Sequence, residues 1–157
     1  MKLVILAGGK GTRLSEYTKK IPKPMVTIKK KPILCHIIDH YRSYGVKEVI
    51  IATGYKHRVI KNYFKKNIYS DVNIRIVNTG LNTLTGLRVK KLQKFFLRGE
   101  NFYLTYGDGV SNVNINKLLK FHIKHKKIAT LTAVRPPARF GEIEIKKKII
   151  VTFEEKP

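Results

Sequence analysis

The chain has 157 residues, 43% of them apolar, with 33 Lys and Arg against 10 Asp and Glu for a formal charge of +23. That length supports one hydrophobic core, so a single domain over residues 1–157 is expected. The single cysteine excludes an internal disulfide framework and a multi-cysteine metal cage.

No apolar run approaches the roughly 18 residues that a membrane span needs, and Lys2 to Ala7 is too short and too soon broken by glycine for a signal peptide. The expectation is a cytoplasmic protein with no membrane partner. The charge raises nucleic-acid or acidic-membrane binding as a reading. The lysines are spread along the chain, however (Lys19-Lys20, Lys29 to Lys31, Lys65-Lys66, Lys126-Lys127, Lys146 to Lys148), without interleaved aromatics, which favours a lysine-rich surface and makes a nucleic-acid partner unlikely.

In chain order, Leu3 to Ala7 is a continuous apolar run ending at Gly8-Gly9, the pattern of a buried parallel strand followed by a tight loop. Ile33, Leu34, Ile37, Ile38, Tyr41 and Tyr44 share a helical face that stops at Gly45. Cys35, on this segment, reads as a buried small hydrophobe. Glu48 to Thr53 is a second strand, Val59, Ile60, Tyr63 and Phe64 mark a second helix, and Val72, Ile74 and Ile76 have the period of a third strand. A loop from Asn78 to Gly86 leads to a helical segment at Val89 to Phe96 and a fourth strand at Asn101 to Tyr106. Ile115 to His125 is helical, Ala129 to Val134 reads as a strand, and Gly141 to Lys146 and Ile149 to Phe153 read as two strands joined by a lysine turn. Strands alternating with helices predict an α/β fold, a Rossmann-like wound, mostly parallel sheet with helices on both faces.

Three features carry chemistry. Leu6-Ala7-Gly8-Gly9-Lys10-Gly11-Thr12-Arg13-Leu14 follows the first strand, and its glycines let backbone N–H groups approach an anion while Arg13 adds a charge suited to phosphate oxygens. It is neither a Walker loop nor the Rossmann dinucleotide spacing. Lys23 stands between Pro22 and Pro24, which restrict the backbone on either side and hold the lysine in place. Gly107-Asp108-Gly109 ends the fourth strand, at the sheet edge where open α/β folds bind ligands; Asp108 is either a functional carboxylate or the cap of the next helix.

Together these stretches resemble the signature of the sugar-1-phosphate nucleotidylyltransferases. Lys31-Pro32-Ile33-Leu34, Gly54-Tyr55-Lys56, Thr79-Gly80, Thr85-Gly86, Thr105 to Val110, Pro136-Pro137 with Arg139-Phe140-Gly141, and Glu155-Lys156-Pro157 further resemble the cytidylyltransferase branch that acts on glucose 1-phosphate. The resemblance runs through the whole chain in order. It differs at Leu87, where the family has a second glycine, and in the short stretch from Asn67 to Asp71, where the cytidylyltransferases carry an insertion.

The resemblance implies a sugar 1-phosphate, with glucose 1-phosphate favoured, attacking the α-phosphorus of a nucleoside triphosphate, CTP favoured, with release of pyrophosphate. It implies that Leu6, Ala7, Gly8, Gly9, Lys10, Gly11, Thr12, Arg13, Thr83, Arg88 and Gly107 bind the nucleotide. Lys23, Gly141, Glu155 and Lys156 would meet the sugar phosphate, Asp108 would hold Mg²⁺, and Arg13, Lys23 and Asp108 would be catalytic. The domain is expected to lack the family's carboxyl-terminal sugar-binding part. A homo-oligomer is compatible with the resemblance. Two alternatives stay open from the sequence: a truncated, inactive module that binds nucleotide and Mg²⁺, and a basic nucleic-acid-binding protein.

Overall fold

The computed structural model describes residues 1–11, 21–134 and 142–154. The backbone divides into two compact units, 1–118 and 119–157. A single domain is the expectation from the sequence, and no linker composition marks the division, which falls inside a helix, α4 (Ile115–His125).

The first unit is built on β1 (Lys2–Ala7), β4 (Glu48–Thr53), β5 (Asn73–Asn78) and β6 (Phe102–Tyr106). All three pairings are parallel, in the order β5-β4-β1-β6. Between β1 and β5 the chain winds outward in one direction, then returns across β1 to lay down β6 on its other side. The order therefore reverses between β1 and β6, the position where doubly wound sheets open a crevice at the carboxyl ends of their strands.

Why these residues form a two-faced sheet follows from their alternation. Leu3, Ile5 and Ala7 of β1 and Val49 and Ile51 of β4 pack on one side with Leu34, Ile37, Ile38, Ile60 and Phe64. These last come from α1 (Ile33–Arg42) and α2 (His57–Lys66). Val4, Leu6, Ile50 and Ala52 face the other side, against Leu92 and Val89. Val89 belongs to α3 (Thr85–Lys91), which is followed by a 3-10 turn over Gln93–Phe95. Each fully buried Leu or Ile contributes about 1.5–3 kcal/mol, so the strands are held from both faces. The wound parallel sheet with helices on both faces is the fold expected from the sequence.

Local signals explain the ends of the elements. α1 starts directly after Pro32 and carries His40 and Arg42 in its last turn, where cations meet the carbonyl end of the helix. Cys35 is buried on its inner face, the thiol 3.7 Å from the Tyr63 hydroxyl, and burial pushes the thiol pKa up, as suits a packing residue. Two short strands, β2 (Thr27–Ile28) and β3 (Lys31–Pro32), make an antiparallel turn before α1.

In the second unit, β7 (Glu142–Lys146) and β8 (Ile149–Glu154) pair antiparallel through Lys147 and Lys148, both with positive φ, as a tight hairpin requires. The lysine turn is where the sequence puts it. Two expectations are corrected. Residues 129–134 form no strand: Leu131 and Val134 are exposed, and without a ladder partner an apolar run has nothing to hold it extended. Thr85-Gly86, read as loop, opens α3, because Leu84 with extended φ and ψ serves as its cap.

Candidate active site at the reversal of strand order

The register of β1 and β6 places the two sequence motifs side by side. Leu6 pairs with Tyr106, and the Gly107 N–H donates to the Leu6 carbonyl at 2.9 Å. Two residues beyond that pairing lie Gly8 on one strand and Asp108 on the other. Both thus leave the sheet at the same edge, on either side of the reversal.

Lys23 reaches this edge from a 3-10 turn, Lys23–Met25, whose fixed entry comes from Pro22 at φ −69° and Pro24 inside the turn. Pro24 and Met25 are buried, which anchors the turn. Gly107 is what lets it approach: a Cβ there would lie 2.9 Å from Pro24 Cγ and 3.2 Å from Ala7 Cβ. The result is that Lys23 Nζ donates to Asp108 Oδ2 at 2.6 Å, with the two side chains 30% and 35% exposed. A cation and a carboxylate from positions 85 residues apart stand paired and accessible at the mouth of the crevice.

Behind them lies a second arrangement, centred on Arg88. Its side chain, on the first turn of α3, is only 6% exposed. Nη1 donates to the Thr79 hydroxyl at 2.6 Å, the Gly80 carbonyl at 2.7 Å and the Thr53 carbonyl at 3.3 Å. Nη2 donates to the Leu81 and Gly8 carbonyls at 3.1 and 3.2 Å. These acceptors come from the ends of β1, β4 and β5, so one guanidinium ties three strand ends together. Burial lowers its pKa, but a guanidinium stays charged, and five neutral dipoles stand in for a counter-ion. Gly8 has to be glycine for this, since a Cβ would fall on the guanidinium. Thr83 donates to the Thr79 carbonyl at 2.6 Å, and the Lys91 amine to the same oxygen at 2.8 Å.

The residues singled out in the sequence therefore fall into three groups. Leu6, Ala7, Gly8, Gly9, Lys10 and Gly11 leave the end of β1, and Gly107, Asp108 and Lys23 gather beside it. Thr83 and Arg88, assigned to the nucleotide, are engaged with the protein's own oxygens; the physical reason is that Arg88 shares the buried stripe of α3 with Leu92, four positions on. Thr12, Arg13, Gly141, Glu155 and Lys156 lie outside the described residues. The sequence reading gave Thr53 and Thr79 no role. For Thr53 the signal was a threonine closing an otherwise apolar strand, and for both an arginine on a helix face that packs inward.

A family model described as "Nucleotidyl transferase" matches residues 2–157. The chain belongs to the nucleotidyl transferase family. This member of the family is 44% identical over 178 residues to "Glucose-1-phosphate cytidylyltransferase" of Salmonella typhimurium, the match covering all of this chain and 69% of that protein. It is 39% identical to "Probable glucose-1-phosphate cytidylyltransferase" of Bacillus subtilis, over 99% of this chain and 69% of that one. It is also 35% identical to "D-glycero-alpha-D-manno-heptose 1-phosphate guanylyltransferase" of Campylobacter jejuni, with the same coverage. Among solved structures it resembles that of HddC from Yersinia pseudotuberculosis, with TM-score 0.72 and 26% identity over 99% of this chain and 69% of the other. The family's wound α/β fold and this chain's coincide. No helix among the described residues is long and apolar enough to cross a membrane.

Proposed function

We propose that the chain transfers a nucleotidyl group from CTP to glucose 1-phosphate, giving CDP-glucose and pyrophosphate. The observation that carries this reading is the Lys23–Asp108 pair, accessible and 2.6 Å apart, beside the glycine loop at the reversal of strand order. The choice of cytidine and glucose rests on the likeness to relatives named as glucose-1-phosphate cytidylyltransferases.

The chemistry asks for positioning and charge neutralisation more than covalent help. An oxygen of the sugar phosphate attacks the α-phosphorus in line; the bond to the bridging oxygen breaks, and pyrophosphate leaves with that electron pair. Backbone N–H groups of the loop after β1 would cradle the triphosphate, with Arg13 on the departing pyrophosphate. The Lys23 ammonium would offset repulsion between the incoming sugar phosphate and the α-phosphate. The Arg88 brace would keep the ends of β1, β4 and β5 at the spacing that the bound nucleotide needs.

Mg²⁺ fits the residues present. Among the described residues there is no group of three or more His, Cys, Asp or Glu that could hold a metal ion, and Mg²⁺ characteristically takes one or two carboxylates together with substrate phosphates rather than a full protein cage. Asp108, whose carboxylate already faces a cation in Lys23, would be the protein ligand. When bound, the ion would neutralise phosphate charge and help orient the triphosphate.

The direct test is pyrophosphate release with glucose 1-phosphate and each of CTP, UTP, dTTP, ATP and GTP. CDP-glucose formation with CTP preferred is the expected result. Faster turnover with another nucleotide would overturn the base assignment, and no release with any of them would overturn the transferase reading for this chain.

A further inference from the structure

Among the described residues Arg88 has no carboxylate partner: its acceptors are the Gly8, Thr53, Gly80 and Leu81 carbonyls and the Thr79 hydroxyl. A buried cation has drawn in the negative ends of these peptides. A trans peptide points its N–H opposite to its C=O, so a carbonyl turned inward sends the next residue's N–H outward. No described peptide bond is cis. The N–H groups that follow the Gly8, Gly80 and Leu81 carbonyls belong to Gly9, Leu81 and Asn82. All three residues are exposed, and among the described residues none of these N–H groups has an acceptor. The step at the loop after β1 is abrupt: Gly8 is buried and Gly9 exposed, so the peptide between them runs from the guanidinium to solvent.

We infer that Arg88 is a positioning residue that sets the polarity of the crevice, holding the Gly9 N–H outward to meet a phosphate oxygen. This goes beyond spacing the strand ends, and it rests on the transferase reading for its ligand, a nucleoside polyphosphate. The Gly8-Gly9 peptide is the one that most needs such a hold. Glycine on both sides accepts either sign of φ, so the plane can turn over at little steric cost and then presents its oxygen to the phosphates. Two donors oppose this: Arg88 Nη2 at 3.2 Å and the Tyr55 N–H at 3.1 Å both reach the Gly8 carbonyl. Only the guanidinium brings charge. Cation, inward carbonyl and outward N–H form one aligned series of dipoles, so the buried charge acts at the loop although the side chain touches no ligand. The same guanidinium turns the Gly80 and Leu81 carbonyls, so the end of β5 also offers donors rather than acceptors. Gly54 lies between the two sets: a Cβ there would strike both the Gly80 and the Gly8 carbonyl oxygens. An ammonium has no planar fork with which to hold all of them together.

The test is a pyrophosphate titration of the full chain labelled with nitrogen-15 glycine and followed by its amide resonances, with CTP binding measured by calorimetry in parallel. Gly9→Ala, at a position with open space for a Cβ, assigns the Gly9 signal by its loss. In the wild type, pyrophosphate is expected to move the Gly9 N–H resonance downfield. Arg88→Lys keeps the charge and loses the fork, and Thr79→Val removes the hydroxyl to which Nη1 donates. Each should weaken pyrophosphate binding by roughly tenfold or more, as for a lost hydrogen bond to a charged group, and abolish the Gly9 shift. Leu92→Val, just beyond the same helix, opens a small cavity without touching an acceptor and should stay within roughly twofold of wild type. Circular dichroism checks that each variant is folded, and Thr79→Val decides the matter alone if Arg88→Lys is not. Equal loss in Leu92→Val would reduce the effect to stability and overturn the inference. So would wild-type Gly9 shifts in both Arg88→Lys and Thr79→Val, with the transferase reading left standing. A wild type that binds neither pyrophosphate nor CTP would overturn that reading as well.

Discussion

Lys23 and Asp108 meet at 2.6 Å although neither strand nor helix joins them directly; the contact exists because Gly107 gives way to Pro24. Removing the cation tests its role in transfer. Lys23→Met keeps the bulk and deletes the charge, and is expected to lower kcat/KM for CDP-glucose formation by about 10–150-fold, the equivalent of one charge-assisted hydrogen bond of about 1.5–3 kcal/mol. A steady-state comparison with folded wild type checks this, and an unchanged value would make Lys23 a partner of Asp108 alone.

Asp108→Asn preserves the shape of the carboxylate and removes its charge. Isothermal titration of CTP with and without Mg²⁺ is expected to show a metal-dependent gain for the wild type and little or none for the variant. A gain of equal size in both proteins would return Asp108 to the role of a turn residue.

The brace at Arg88 predicts a stability effect larger than the exposed charges give. Arg88→Met leaves carbonyls of three strand ends without a donor and is expected to cost about 2–4 kcal/mol in urea unfolding, as for buried acceptors left unpaired. Arg88→Lys is expected to recover less than half of this, because an ammonium cannot span five acceptors arranged around a planar fork. Full recovery by lysine would mean that charge, not geometry, is what the strand ends require.

Stability should fall as the solution is acidified. Burial, with help from Lys61 and Arg58, holds His57 below its ordinary value of 6.5, so its neutral form stabilises the fold above that pH and the contribution is lost as pH falls through the lowered value. Lys2 beside Glu100, and Arg42 beside Asp71, hold these carboxylates below 4.5 and 3.8. Their contributions are present above those values and are lost on further acidification. Urea midpoints measured from pH 8 downward should therefore decline in two stages, and Glu100→Gln should flatten the lower one.

Much of this was legible in the sequence, and the reasons are local. Continuous apolar strands fix their own burial, so β1 and β4 announce themselves; Ile115 to His125 has the boundaries its periodicity gives. The glycine loop, Lys23 and Asp108 could each be picked out by type and neighbours, yet their meeting depends on the register of Leu6 with Tyr106, which no local pattern encodes. Residues 129–134 have the composition of a strand and lack a partner strand, and pairing is not a property of one segment. Arg88 shows the converse: its type marks a charge, while its five acceptors at the strand ends are set by the sheet and not by its neighbours in sequence.

The parallel order of the sheet also sets a schedule. β1, β4 and β5 can associate once the first eighty or so residues are available, but β6 closes against β1 from a hundred positions away, Lys2 against Phe102. Loop closure over such separations is slow, and chains that rely on it fold late in those regions. On a ribosome the loop after β1 and the Arg88 acceptors would emerge well ahead of Asp108. A nascent chain at that point holds Lys23 without the carboxylate that tempers it, so the pairing of β6 with β1 is also the step that brings the Lys23–Asp108 pair together.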